Sequence, residues 1–187
     1  MNLDYIIKNL SLSKDLVLNV YFYGSHLWNY ATAKSDFDVI IVLKNTRGTI
    51  GKQCVHAANI DAILYDEKTF EEELNNNKFL AVLTQLIPEC IIIEKKKFKI
   101  NINKKIFASN VINEIDRDMA FSEKLLSKDK NEHAKKVLIH SLRMACITLN
   151  ILKSNKIVIP DHYTFVDKTN DELIEELNKI KLNIISL

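Results

Sequence analysis

Apolar and polar positions along the chain switch repeatedly between a helical and a strand period before residue 104 and keep the helical one after it. Leu3, Ile6, Ile7 and Leu10 recur at helical spacing, which predicts a short amphipathic helix over residues 2–10. Dense apolar runs at residues 16–23 and 37–43 read as strands, and residues 57–65 read as a third. Between the first two, residues 25–30 form a short helical segment with Ser25 near its N-cap. Residues 45–52 contain Arg47-Gly48 and Gly51 and read as a hairpin-like turn. Residues 68–74 and 79–86 are helical, and residues 90–94 are a short β-rich segment. Past residue 104 the helical period takes over, at residues 104–126 and 132–155. In the second of these, Val137, Leu138, Ser141, Ala145, Thr148, Leu149 and Leu152 form one stripe, and residues 157–160 end it. Residues 171–182 are a last helix, with Thr169 or Asn170 as cap and Glu172 in its first turn. The pattern divides the chain into a sheet-containing part over residues 1–100 and a helical part over residues 101–187.

Composition narrows the class. The chain has 187 residues, 47% of them hydrophobic and 27% charged, which suits a buried core and excludes a disordered chain. A net charge of +2 is too mild to argue nucleic-acid binding by itself. Asp4 and Lys8 interrupt the apolar N-terminal residues, so no signal peptide is expected, and no apolar run reaches membrane-spanning length. Cys54, Cys90 and Cys146 are far apart and odd in number, without metal-ligand spacing or a disulfide framework, so a reducing cytoplasmic setting is expected. Residues 95–105 hold six lysines, which read as a solvated linker or edge strand in preference to a polyanion site. With only three glycines, each is worth examining, and Gly24 stands in the most informative stretch.

That stretch runs from residue 21 to 43. An apolar run ends in Gly24-Ser25, and a second opens with Ser35-Asp36-Phe37-Asp38. Carboxylates at i and i+2 on a strand point to one face and suit hard divalent cations. A small-residue turn after a strand suits a phosphate held by backbone N–H groups. Phe37 and Val39 then face the core while Asp36 and Asp38 line a groove. Ordinary turn chemistry would also account for Ser35-Asp36, but Asp38 immediately before Val39-Ile40-Ile41-Val42 is costly unless paired. Asn59-Ile60-Asp61-Ala62-Ile63 offers a third carboxylate, which joins the same face if its strand pairs in register beside the first. Clustered carboxylates repel, and cations would neutralise them; two metal ions roughly 3.5–4 Å apart stabilise both oxygens of an in-line displacement.

These residues resemble the DNA polymerase β nucleotidyltransferase superfamily. Its signature is an apolar strand, Gly-Ser or Gly-Gly, a short helix, an acidic-x-acidic pair opening the next strand, and a third acid on a later strand. Gly24, Ser25, Asp36, Asp38 and Asp61 occupy those places. The stretch is similar, more narrowly, to small predicted nucleotidyltransferases with a Gly-Ser…Tyr-Gly-Thr-Ala-Thr…Ser-Asp-x-Asp pattern. Tyr30-Ala31-Thr32 and Ser35-Asp36-Phe37-Asp38 fit it, with Asn29 where a glycine follows the aromatic. Asn is, after Gly, the residue that best tolerates the left-handed conformation. A Lys-x-x-x-His-x-x-Arg pattern with a Lys-Ile tail in those proteins is matched by Lys136, His140 and Arg143, with Lys156-Ile157 after them. At this spacing the three share one helix face. The resemblance covers roughly residues 16–160.

The resemblance implies an α+β fold: a small mixed β-sheet nucleotidyltransferase core with flanking helices, followed by a C-terminal helical bundle. It implies transfer of a nucleoside monophosphate from an NTP such as ATP to a hydroxyl acceptor, with release of pyrophosphate. Asp36, Asp38 and Asp61 would hold Mg2+, with Mn2+ as the alternative, and Asp61 would help activate the hydroxyl. Gly24, Ser25 and Ser35 would contact the nucleotide phosphates, joined by Lys136, His140 and Arg143. The acceptor stays open among RNA, protein and a small molecule, and no membrane partner is expected. The competing readings are a nucleotide-binding module that has lost catalysis, a sugar-nucleotide glycosyltransferase using the same Asp-x-Asp, and an antitoxin-like modifier of a partner protein. The chain is short for the glycosyltransferase, which leaves the Gly-Ser turn unexplained. Residues 48–52 are too short for a P-loop. His26, His56, His133 and His162 have no partner at ligand spacing and read as surface or core histidines, and Trp28 and the tyrosines before it read as core.

Overall fold

The computed structural model describes residues 2–28, 31–33, 35–45, 50–154, 157–158, 160 and 163–187, without the Tyr163 side chain. The chain splits into two compact units, Met1–Asn76 with Leu80–Asn101, and Asn77–Phe79 with Ile102–Leu187. The fold is α+β: a mixed sheet with flanking helices, and a C-terminal helical region.

The first unit is built on five strands: β1 (Val17–Phe22), β2 (Phe37–Leu43), β3 (Lys52–Ala57), β4 (Ile60–Asp66) and β5 (Ile91–Glu94). Their order in the sheet is β3-β4-β2-β1-β5. Only β2 and β4 run parallel; the other pairs are antiparallel. Helix α1 (Leu3–Asn9) precedes β1, the single turn α2 (Gly24–Leu27) follows it, and α3 (Glu67–Asn75) and α4 (Phe79–Leu86) follow β4.

Strand alternation divides the side chains of the sheet between two faces. On one, Ile6 of α1 packs with Val20, Val39, Ile41, Ile60, Ala62 and Leu64 in a dry cluster. The other carries Ile40 and Val42 of β2 and Tyr65 of β4. Over it lies Phe70 of α3, stacked on Tyr21 at 6.0 Å and edge-on to Tyr65 at 5.6 Å and Phe98 at 5.0 Å. Rings at these separations contribute beyond the area they bury. Asp38 and Asp61 belong by alternation to this second face, at the N-terminal ends of β2 and β4.

The fully buried Asn19 on β1 closes the other edge of the sheet. Its Oδ1 accepts from the amides of Lys95 and Lys96, both at 3.0 Å, and its Nδ2 donates to the Lys96 carbonyl at 2.7 Å. The Lys96 ammonium pairs with Glu67 and, at 2.6 Å, with Glu71. Lys95 donates to the Lys14 carbonyl at 3.1 Å, and Lys104 to the Leu152 carbonyl at 2.7 Å. Part of the lysine run is thus tied into the fold.

The structure corrects the sequence reading at residues 52–65. The expected single strand over 57–65 is the second arm of a hairpin whose first arm, β3, falls mostly on residues 53–56, to which the sequence assigns no element. The reason is position: β3 lies at the sheet edge with Lys52, Gln53, Cys54 and His56 exposed, so no apolar alternation marks it. Ala58 and Asn59 join the arms, and Ala58 holds φ at 54°. A positive φ at the first central residue alone is the φ pattern of a type II′ turn, where glycine is usual. Of the expected turn over 45–52, residues 46–49 lie outside the described residues.

The second unit is three long helices, α5 (Lys104–Leu126), α6 (Asn131–Ser154) and α8 (Asn170–Ile185), with a short α7 (Tyr163–Val166). Asn103 caps α5 by accepting from the amides of Lys105 and Ile106 at 3.1 and 3.2 Å. Thr169 and Glu172 form a reciprocal capping box on α8, so Thr169 is the N-cap. The α6 stripe buries Leu138, Ser141, Ala145, Thr148 and Leu152. By length and composition α6 is apolar enough to cross a membrane, which the sequence reading missed, and 61% of its apolar window is buried inside the protein. That is the burial of a bundle's core helix.

Ala58→Gly removes the left-handed alanine, which costs roughly 1–2 kcal/mol, against a glycine entropy loss of about 0.5–1 kcal/mol. The variant is expected to be more stable by about 0.5–1 kcal/mol, read as a higher urea midpoint at unchanged slope. A lower midpoint would show that the turn does not carry this strain.

Candidate active site

The register of four strands sets one row of side chains. β2 and β4 pair with Asp38 directly beside Asp61. β3 and β4 pair with His56 directly opposite Asp61. On the far side of Asp38, the chain leaving β1 continues the ladder, with the Tyr23 amide donating to the Asp38 carbonyl at 3.0 Å. Tyr23, Asp38, Asp61 and His56 thus follow one another across the sheet. They line an open cavity of about 310 Å³, together with Cys54 and Ala62.

Asp38 is held from below by Gly24. Gly24 has φ +67°, and a Cβ placed there would lie 1.9 Å from Asp38 Oδ2. Both facts demand glycine: the left-handed conformation is unfavourable for other residues, and the carboxylate occupies the space of their first side-chain carbon. The Ser25 amide donates to the same carboxylate. Burial pushes the Asp38 carboxyl up to about 6, and the negative charges of Asp61 and Asp36 push the same way, while the Ser25 bond and His26 oppose them. His26 itself stacks on Phe37 with ring centroids 4.0 Å apart. Burial, then Asp38 and Asp61, raise the Tyr23 hydroxyl, which keeps it a donor at neutral pH.

Asp61 is shared with the hairpin. His56 Nδ1 lies 2.5 Å from Asp61 Oδ1, and this bond raises the His56 pKa. In the sequence His56 has no partner at ligand spacing, because residues 52–57 carry no strand period. The signal was present as an i, i+5 spacing, which a two-residue turn at Ala58-Asn59 converts into a directly opposed pair. Tyr23, which read as core, is half-buried and lines the cavity.

The remaining expected residues are placed as follows. Asp36 is exposed and stands one residue before β2, not within the strand. Among the described residues, no group of three or more His, Cys, Asp or Glu side chains is already gathered to hold a metal ion. The Ser35 hydroxyl accepts from the Thr32 amide at 2.9 Å and lies 3.2 Å from the Thr32 hydroxyl, closing a turn. Ser25 is not an N-cap: α2 begins one residue earlier, with Tyr23 in the cap position and no side-chain bond, because the chain turns at Gly24. The helix ends at Leu27, short of the expected residue 30. Lys136, His140 and Arg143 lie on α6 in the second unit, Lys136 and His140 exposed and Arg143 buried with 6% of its surface accessible. Asn29, Tyr30, Lys156 and His162 lie outside the described residues.

No curated protein sequence matches the chain. Among solved structures, the spectinomycin adenyltransferase AAD(9) from Enterococcus faecialis, crystallised with ATP and spectinomycin, is similar at 11% identity and a TM-score of 0.46, over 98% of this chain and 94% of that one. A nucleotidyltransferase-like protein from Exiguobacterium sibiricum is similar at 13% identity and a TM-score of 0.33, over 98% of this chain and 73% of that one. A family model described as a nucleotidyltransferase domain matches residues 4–117. That span is more than half of the 187 residues and contains the whole row from Tyr23 to Asp61, so the chain belongs to the nucleotidyltransferase-domain family.

Proposed function

We propose that the protein is a metal-dependent nucleotidyltransferase that moves a nucleoside monophosphate from an NTP to a hydroxyl acceptor and releases pyrophosphate. The observation that carries this reading is the register of Asp38 beside Asp61, with Gly24 turned against the Asp38 carboxylate. Two carboxylates on adjacent strands, with Asp36 close enough to repel Asp38, form a donor set of hard oxygens. That chemistry fits Mg2+ or Mn2+, and Asp36, Asp38 and Asp61 are the residues that would hold it. Such a cation, when bound, supplies charge neutralisation at the triphosphate and a more acidic acceptor hydroxyl.

The chain's own groups divide the remaining work. The Ser25 hydroxyl and the Tyr23 hydroxyl donate toward phosphate oxygens, while the Ser25 amide keeps the Asp38 carboxylate in place. The Asp61 carboxylate takes the proton of the acceptor hydroxyl as its oxygen bonds to the α-phosphorus. The bond between the α-phosphorus and the bridging oxygen breaks, and pyrophosphate leaves with the electron pair. Electrostatic preorganisation of this kind is the main source of rate in phosphoryl and nucleotidyl transfer. The acceptor is RNA, a protein hydroxyl or a small molecule.

The direct test is labelling of acceptors of all three kinds by α-labelled NTPs with magnesium or manganese. Asp38→Asn and Asp61→Asn are each expected to lower transfer by about 100-fold or more, with the circular-dichroism spectrum unchanged. Wild-type labelling by either variant overturns the assignment. Binding of NTP with no transfer to any acceptor would favour the catalytically silent module.

Gly24→Ala tests the cradle. It is expected to destabilise the fold by about 1–2 kcal/mol and, by displacing the Asp38 carboxylate, to lower transfer by at least about 10-fold. Full activity in a folded Gly24→Ala protein would show that the close approach is dispensable.

A further inference from the structure

We infer that His56 is the positioning residue of Asp61: it fixes one carboxylate oxygen on the β3 side and leaves the other for the reaction. The inference rests on the function proposed above, since it gives Asp61 a role there. The motif reading assigns nothing to position 56, and His56 comes from a strand that the acidic signature does not include.

Four observations carry it. The first is geometry: His56 and Asp61 are directly opposed across the hairpin, and the Nδ1 to Oδ1 distance is 2.5 Å. The second is location: both side chains line the same cavity as Asp38 and Tyr23. The third is that packing does not account for His56. Its side chain is 61% exposed and that of Asp61 46% exposed, and an ion pair this open adds little to stability. The fourth is the charge on the other flank. Asp38 stands beside Asp61 on β2, and two adjacent carboxylates repel. A donor on the β3 side opposes that push and stops the carboxylate from rotating about its last torsion.

The hydrogen bond also decides the ring. A carboxylate only accepts, so Nδ1 carries the proton and Nε2 presents its lone pair when the imidazole is neutral. The role is the one that outer partners play for ligating carboxylates and histidines: they orient the group that acts and do not touch the substrate themselves.

Two measurements test this. Nitrogen-15 NMR of the imidazole in alkaline buffer is expected to show the Nδ1–H tautomer at His56 in the wild type and its loss in Asp61→Ala. An Nε2–H tautomer in the wild type overturns the pairing, whether or not the protein transfers nucleotides. In the labelling assay, His56→Ala is expected to lower kcat by about 10–100-fold, with the KM for NTP changed by less than about 3-fold. His56→Asn places an amide donor near the Nδ1 position and is expected to restore most of the lost kcat. A His56→Ala protein with wild-type kcat, or an Asn variant as impaired as the Ala variant, overturns the positioning role. A wild-type protein that labels no acceptor overturns the proposed function instead, and the ring signals still decide the pairing.

Discussion

The parallel register between β2 and β4 is the constraint on which the rest depends. It sets Asp38 and Asp61 side by side, two like charges on neighbouring strands at the rim of a dry sheet. A slip of β4 by one residue would turn every one of its side chains to the opposite face, moving Asp61 into the cluster under α1 and Ala62 out of it. The same seven-residue ladder therefore specifies the core and the acids together. The cluster of Val39, Ile41, Ile60, Ala62 and Leu64 on one face pins the register, and the carboxylates on the other face inherit it.

Around that pair, each neighbour answers the charge in a different way. Gly24 yields space, the Ser25 amide donates, and His56 donates from the edge strand. Asp36 does the reverse and adds to the repulsion. Phe70, Tyr21 and Tyr65 pack together on the same face beyond the acids, toward the C-terminal end of β4.

What could be read from the sequence follows from how each residue is buried. Asp38 and Asp61 stood out because each opens a strand whose other residues are apolar, and Gly24 because glycine is rare here and ends such a strand. α5, α6 and α8 are legible from long amphipathic stripes, and α8 also from Thr169 as a cap, whereas the Asn103 cap of α5 is seen only in the structure. His56 was hidden because an exposed edge strand has no period to detect, and Ala58-Asn59 is not a turn sequence that announces itself. The Ser25 cap was misplaced because a left-handed Gly24 starts the helix one residue early, and dihedral angles are not written in hydrophobicity.

The edge position of β3 has a consequence for how such a site changes over time. Asp38 and Asp61 stand on inner strands, where a substitution disturbs packing on both faces. His56 stands on a strand with one neighbour and little buried surface, joined to β4 by a two-residue turn. Local opening of such a hairpin requires less free energy than unfolding the sheet. In the proposed reaction, the Asp61 carboxylate is thus oriented from an edge strand with little buried surface. Substitutions at the exposed positions Lys52, Gln53, Cys54 and His56 would then alter the proposed chemistry without removing a side chain from the cluster under α1.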